Sequence, residues 1–474
     1  IDLNHLNLKK VSLSVKKYYG KTWEEIVIQY LKEQEMKSPS CDFVHHLEKS
    51  LNAAYQLFVP KLNAFVAFRW RSNKRIGLEI LPAYNTFASE LFKAGKKIED
   101  PKVKIMSDSA KELLLRPQAS VKIKEGRVWQ NVGVIKRLPW PRIKFFTHLG
   151  IGVAGFPGGQ ATVLRTLCER IILGDQDSRL FHWIREGAEW LLNCQYSDGH
   201  WARSYRFKEK ALKDNSGYEI ETGPESGSQG ATAEGALALF LTSEVLKDKK
   251  YFERGLRAVE WVNKFIDVGI ITWGFLRDAK EEETDGISAI FAILANLKAY
   301  TLTRKEEYLK CAKKFALYLS TWQRWWAHAG LDTLIFSFSP RLAICATVLA
   351  AEAYWELYRI TRDSFWKKLS ETCFAPIELE NDYPGYGEGI YYDEELNEHP
   401  LEFLAIFSIS AVLRYTLKRL EEEDISFLRL KEQEDASEVM KTSREEILLW
   451  GLKFLGRPLW RMIPSKIRER LRGR

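Results

Sequence analysis

Tyr251-Phe-Glu-Arg-Gly255, Tyr308-Leu-Lys-Cys-Ala312 and Phe365-Trp-Lys-Lys-Leu369 begin at equal intervals along the chain. Ten residues after the first two anchors stands another large aromatic, Trp261 and Tyr318, and Leu180 with Trp190 repeats that spacing upstream. Before each anchor runs a stretch of small and apolar residues, 230–246, 287–301 and 342–360, that reads as a helix. After each anchor runs a more amphipathic one, with Lys, Arg and Glu at solvent-facing positions. A period of about 57 residues holding two helices is a helical-hairpin array. An inner ring of apolar helices inside an outer ring of amphipathic ones is an α/α toroid, with an open solenoid as the alternative. The hairpins fall at roughly 160–193, 230–266, 286–322, 341–374 and 401–420. The last is incomplete, and a further one is hidden or replaced.

Outward from this core the chain changes character. Residues 119–138 alternate around Glu125-Gly126, which predicts a β-hairpin, and 43–58 reads as an amphipathic helix. The expected organisation is an α+β region over 1–145 that packs on the toroid, a toroid over 146–420, a solvated acidic spacer over 421–440 and a basic amphipathic tail over 441–474. The expected fold class is mainly α.

Composition bounds the function. The 474 residues are 46% hydrophobic, with 29 Gly, 15 Pro and 6 Cys, which excludes collagen-like, low-complexity and disulfide-scaffold chains. Sixteen Trp supply large apolar contact area, for packing or for stacking on sugar rings. The net charge is +8, but 441–474 carries ten basic and three acidic residues and 421–440 carries eight acidic and two basic. The body therefore holds only a mild excess, with no basic stripe, and nucleic acid is not an expected partner. The scattered cysteines, without CxxC, suit buried thiols in a reducing compartment. No signal peptide is visible, so the expected location is cytoplasmic, peripheral at the inner membrane surface. Because the first residue is Ile1, export stays open.

The sharpest motif is Trp190-Leu191-Leu-Asn-Cys-Gln195-Tyr-Ser-Asp-Gly199-His200-Trp201. It resembles the QW repeat of squalene-cyclase and prenyltransferase toroids, with a degraded copy at Tyr318-Leu319-Ser-Thr-Trp-Gln323. The resemblance implies a structural role, in which the Gln ties a helix end and the Trp packs over the turn. Class II terpenoid cyclases need an Asp-rich acid; here only Asp175 and Asp177 lie together, in a turn between helices. No zinc-ligand spacing occurs, and neither a metal nor a cofactor is expected. A second, looser resemblance is carried by Asp198-Gly-His-Trp201-Ala-Arg203, a polar loop, then Gly227-Ser-Gln229-Gly230 opening a helix, then Tyr251 and its outer helix. It is similar to D-glucuronyl C5-epimerases, with His200 where that family has a second Gly, and implies glycan chemistry.

The best catalytic stretch is 382–399, with Tyr386, Glu388, Tyr391, Tyr392 and His399 among glycines just before a helix. Tyrosines stack on sugars or exchange protons, and glycines let backbone approach a ligand. Removing the C5 proton of a uronate needs a base on one face, a second group on the other and a cation such as Arg203 on the carboxylate. Trp201, Tyr205, Gln229, Trp325, Trp326 and Arg341 would line the substrate path. Glu219, Glu221 and Glu225 are the carboxylates available to a hydrolase, and His328 follows the Trp325-Trp326 pair. Segments 198–205 and 382–399 are expected at one end of the toroid.

The expected function is therefore a carbohydrate-active enzyme on an anionic, uronate-containing polysaccharide, epimerase-like or lyase-like. The alternatives are a terpenoid-cyclase-like toroid and a non-catalytic glycan-binding or scaffold protein. Over 446–463 the tail places Leu448, Leu449, Leu452, Leu455, Leu459 and Trp460 at helical spacing among Lys453, Arg457 and Arg461. That pattern suits an anionic membrane surface, or docking on the toroid or a partner. A homodimer is the expected assembly.

Overall fold

The computed structural model describes residues 20–33, 41–60, 63–65, 68–70, 75–76, 87–116, 120–123, 126–129, 154–155, 157–202, 205–207, 218–220, 227–266, 286–321, 323–324, 330–331, 341–380, 385–387, 389–392, 398–400 and 403–431. Thirteen α-helices lie among them: α1 Trp23–Glu33, α2 Phe43–Leu57, α3 Phe87–Lys97, α4 Pro101–Leu114, α5 Pro157–Ile172, α6 Arg179–Cys194, α7 Gln229–Leu246, α8 Lys249–Asn263, α9 Gly286–Thr303, α10 Glu306–Ser320, α11 Ile344–Thr361, α12 Ser364–Phe374 and α13 Ile406–Arg419.

Two composition classes sort these helices into two layers. In α7 every residue from Gln229 to Thr242 is buried, and α9 is buried from Gly286 to Leu297. A helix apolar all round needs neighbours on every side. By contrast α8 buries only Tyr251, Gly255, Ala258, Val259, Trp261 and Val262, one stripe of a helix otherwise rich in Lys, Arg and Glu. Helices α3, α5, α7, α9, α11 and α13 each pack on the next, and α13 packs on α3, so the ring closes. Outside it α4, α6, α8, α10 and α12 each cover the inner helix before them, and α2 covers α13. The structure is an α/α toroid of six inner and six outer helices, as the repeat implied. Helix α9 is long and apolar enough to cross a membrane by composition, yet 72% of that window is buried inside the ring.

One period of the repeat is one inner–outer pair. Its turn is tight: Lys247, Arg304 and Arg362 take left-handed φ of 55°, 60° and 58° and end α7, α9 and α11. The following Asp248 and Asp363 accept from the backbone N–H of Lys250 and Phe365, capping α8 and α12. Tyr251 and Tyr308 are buried, and in the third copy the buried residue is Trp366.

Two expectations about the ends of the chain are corrected. Among the described residues, segment 1–145 is not a separate unit packed on the toroid. Its α3 and α4 are the ring's sixth hairpin, and its α2 supplies the outer partner missing from the last one. Helix α3 has only 11 residues and none of the repeat's spacing, so the pattern did not reveal it. The predicted β-hairpin is present as Ser120–Ile123 with Gly126–Trp129. It lies so close on α6 that a Cβ on Gly126 (φ +137°) would sit 2.3 Å from the Glu186 carbonyl oxygen. The acidic stretch is also not a solvated spacer from its start. Ile425, Leu428 and Leu430 are buried. Leu430 N–H donates to Asp100 Oδ2 at 2.7 Å and Lys431 N–H to Asn52 Oδ1 at 2.9 Å, strapping 421–431 over α2 and α4. The remainder of that stretch and the tail lie outside the described residues.

Every inner helix is entered by a long connection, such as 115–156 before α5 or 264–285 before α9. The turns leaving α3, α5, α7, α9 and α11 are short, such as 247–248 and 362–363. Because the inner helices run parallel, the points at which these connections enter them all lie at one end of the ring. There, small antiparallel sheets join neighbouring hairpins: Phe68–Trp70 with Phe403–Ala405, Ala154–Gly155 with Tyr205–Phe207, and Arg341–Ala343 with Gly389–Tyr392.

Candidate functional site

The described parts of the two segments expected to converge, 198–202 with Tyr205 and 385–387, 389–392 and 398–399, precede α7 and α13 and so belong to the end at which the inner helices start. Arg341, Tyr391 and His399 form one register row across three strands, Arg341 opposite Tyr391 and Tyr391 opposite His399; Tyr392 pairs with Glu398. Tyr205 is in a different sheet, opposite Gly155 and Ile220, and Glu219 pairs with Arg206 in that same sheet. Arg203, Glu225, Trp325, Trp326 and Glu388, with Glu221 and His328, lie outside the described residues.

Two expected site residues, Trp201 and Tyr386, turn out to be parts of the wall. Trp201 is fully buried. Its Nε1–H donates to the Leu191 carbonyl at 2.7 Å, and its ring lies where a Cβ on Gly235 would come within 2.8 Å. It is a wedge between α6 and α7, with no face for a sugar. Gln195 Nε2 donates to the Gly199 and Arg254 carbonyls at 2.7 and 3.1 Å, tying the end of α6 to α8. His200 stacks on Tyr196 and Trp261 (centroids 4.4 and 4.9 Å) and meets Asp198 at 2.6 Å. This motif is structural throughout, as its resemblance implied. Tyr386 is also fully buried, its hydroxyl 2.6 Å from His46 Nδ1 and Lys49 Nζ 4.8 Å above its ring. Both partners are on the outer helix α2, so Tyr386 packs the wall rather than meeting substrate. Gln229 opens α7 and is 3% exposed.

The chemistry carried by the ring interior comes from residues the sequence reading passed over. Arg414 on α13 reaches three other inner helices: Glu352 on α11 at 2.8 Å, Glu90 on α3 at 2.6 Å and both oxygens of Glu169 on α5 at 2.8 and 3.0 Å. Lys418 binds Glu352 and Glu356 at 2.6 and 2.7 Å, and Ser89 donates to Glu169 at 2.8 Å. Each of these carboxylates is engaged at charge-assisted hydrogen-bond distance. Against burial, which pushes them up, Arg414 holds the Glu169 carboxyl down at about 2 and Glu352 well below the ordinary range. Burial lifts Glu90 despite Arg414.

One turn nearer the loop end the bonding thins out. Glu234, sixth residue of α7, is fully buried, roughly 8 Å inside the helix start at about 1.5 Å per residue. Its Oε1 lies 3.3 Å from Arg165 Nε of α5 and 3.4 Å from the Thr162 hydroxyl. The ion pair lacks hydrogen-bond alignment: Arg165 Nε and Glu234 Oε2 have no hydrogen-bond partner among the described residues. Burial lifts the Glu234 carboxyl to about 7, a rise the Arg165 charge only partly offsets and Glu169 reinforces. A carboxyl half-protonated near neutrality suits general acid–base work. One signal pointed to these groups: single charges inside otherwise apolar inner helices, Glu234 in GATAEGALALF and Arg165 in ATVLRTL. A lone charge there must face a partner or a ligand.

No protein-family model matches the sequence, and no curated protein does. Solved structures do match its fold. A D-mannose isomerase aligns over 81% of this chain and 100% of its own, with a TM-score of 0.59 at 14% identity. A cellobiose 2-epimerase from Spirochaeta thermophila aligns over 84% and 98%, at 0.60 and 12%. An unsaturated glucuronyl hydrolase specific for heparin aligns over 81% and 99%, at 0.52 and 11%. At these identities the likeness establishes the α/α-toroid fold.

Proposed function

We propose that this chain is a carbohydrate-active enzyme working on a uronate-containing polysaccharide by proton transfer at C5, as an epimerase or a lyase. The observation that carries the reading is Glu234: a carboxyl fully buried inside a closed ring, in the second turn of its helix, facing Arg165 and lifted by that burial to about 7. That the toroids of similar fold are named as sugar isomerases, epimerases and glycan hydrolases supports the substrate class. In the proposed step a base takes the C5 proton, and the C–H electron pair moves into the adjacent carboxylate as an enediolate. Return of a proton to the opposite face inverts C5; expulsion of the C4 substituent leaves a C4–C5 double bond. Arg165 stabilises the carboxylate charge, Glu234 handles one proton, and the row Arg341, Tyr391 and His399 supplies candidates for the other face.

Incubation with uronate polymers in deuterated water tests this. Deuterium at C5 marks the epimerase, and new unsaturated ends absorbing in the ultraviolet mark the lyase. Loss of either signal in Glu234→Gln assigns the residue. Binding of the polymer with neither signal would make the chain a glycan-binding protein and end the catalytic reading.

A further inference from the structure

Two clusters of charge share the ring interior, and they differ in how well they are satisfied. Around Arg414 the carboxylates are bonded at 2.6 to 3.0 Å, from three other inner helices. The pair above it is under-bonded although more than nine-tenths buried: Arg165 is 3% and Glu234 0% exposed. Glu234 Oε1 has the Thr162 hydroxyl at 3.4 Å, but Arg165 Nε and Glu234 Oε2, a buried donor and a buried acceptor on facing side chains, have no hydrogen-bond partner among the described residues and need an explanation in a native interior. The guanidinium also lies against the Phe291 ring of α9, 5.6 Å away, which offers it no acceptor oxygen. A ligand that answers both groups offers an acceptor to Arg165 and a hydroxyl to Glu234, which is the chemistry of a sugar acid.

We propose that the Arg165–Glu234 pair is a receptor for the carboxylate of a sugar acid, and that binding is coupled to uptake of a proton by Glu234. The inference rests on the reading of the ring interior as the substrate site. A carboxylate entering from the loop end takes the guanidinium of Arg165 in place of Glu234 Oε1. Glu234 is then left in a buried site without its counter-charge, and a carboxylate there is disfavoured. It takes a proton from solvent and, as a carboxylic acid, donates to a hydroxyl of the same ligand. No other bond is made or broken.

The charges that face Glu234 decide the sign. From α5 these are Arg165 and Glu169, and from α13 Arg414. No charge of the other helices packed on α7 is among the causes of the Glu234 rise, and Lys298 of α9 pairs with Glu244, Glu186 of α6 with Arg127 and Lys122, and Glu189 of α6 with Lys250 of α8. Losing Arg165 to the ligand therefore removes the nearest cation. Arg414 does not replace it, because it is committed to Glu169, Glu352 and Glu90.

Calorimetry on the full chain tests this with D-glucuronate and D-galacturonate as probes and D-glucose as the neutral control. Titrations in buffers of different ionisation enthalpy read the proton count directly. Above pH 7, close to where Glu234 titrates in the ligand-free protein, about one proton is taken up per sugar acid bound, and affinity falls about tenfold per pH unit. Glu234→Gln binds with no proton uptake and a flat pH dependence, and Arg165→Met loses sugar-acid binding. Wild-type binding without proton uptake, an unchanged pH slope in Glu234→Gln, or no sugar-acid binding at all would overturn the coupling. Proton-linked binding in a protein that shows neither C5 exchange nor new unsaturated ends would refute the proposed reaction and leave the receptor standing.

Discussion

Replacing Glu234 by Gln keeps the shape of the side chain and removes its titration. In the folded protein the carboxyl titrates at about 7, against an ordinary value of 4.5, because burial disfavours its charged form more than Arg165 favours it. A carboxyl raised on folding binds its proton more tightly folded than unfolded, so its contribution to stability falls as pH rises through that interval. It imposes no penalty below the unfolded value and the full penalty above the folded one. The difference between 4.5 and about 7 corresponds to about 3 kcal/mol at about 1.36 kcal/mol per pH unit. The carboxylates pulled down by Arg414 and Lys418, Glu169 and Glu352, act in the opposite direction and below this window. Glu90 is lifted as well, but is common to both proteins. Comparison of wild type with Glu234→Gln therefore isolates one group. Urea unfolding followed by tryptophan fluorescence at several pH values is the assay. From about pH 5 to about pH 8 the wild type should lose about 2–3 kcal/mol relative to the variant, with most of the change below pH 7. Stability curves that run parallel for the two proteins would mean that Glu234 titrates as an ordinary carboxyl. The acid–base role drawn from its burial would fall with them.

Two further outcomes follow. Tyr386→Phe removes the hydroxyl that meets His46 inside the wall and should cost about 1–3 kcal/mol of stability, while turnover of a uronate polymer at ambient temperature stays near wild type; abolished turnover at unchanged stability would return Tyr386 to the mechanism. The basic tail is proposed to hold the protein on anionic lipid, so the full chain should float with phosphatidylserine liposomes at low salt and a chain ending near residue 440 should not; both staying soluble would favour docking of the tail on protein.

The toroid was legible because its two layers obey different composition rules. Helices buried on every side must be apolar all round, as α7 and α9 are, and helices buried on one side must be striped, as α8 is. With the regular spacing of the anchors these rules identified four complete hairpins and the start of a fifth, and the QW-like motif implied that Gln195 ties a helix end, which the structure shows is tied to α8. Local pattern could not disclose how the ring closes. Helix α2, from early in the sequence, covers α13, and α3 packs between α13 and α5. Contacts between elements so far apart in sequence leave no local spacing to read. The site divided in the same way. That 198–205 and 382–399 share an end follows from the alternation of short turns and long connections along the chain. Which aromatics face a ligand does not: Trp201 and Tyr386 have the composition of a sugar platform, and tertiary packing placed both inside the wall. The charges of the interior stand in plain sight as Arg165, Glu169, Glu234, Glu352 and Arg414. Only the closed ring brings them together from four helices, and only its exclusion of water turns one of those carboxyls into a group that titrates near neutrality.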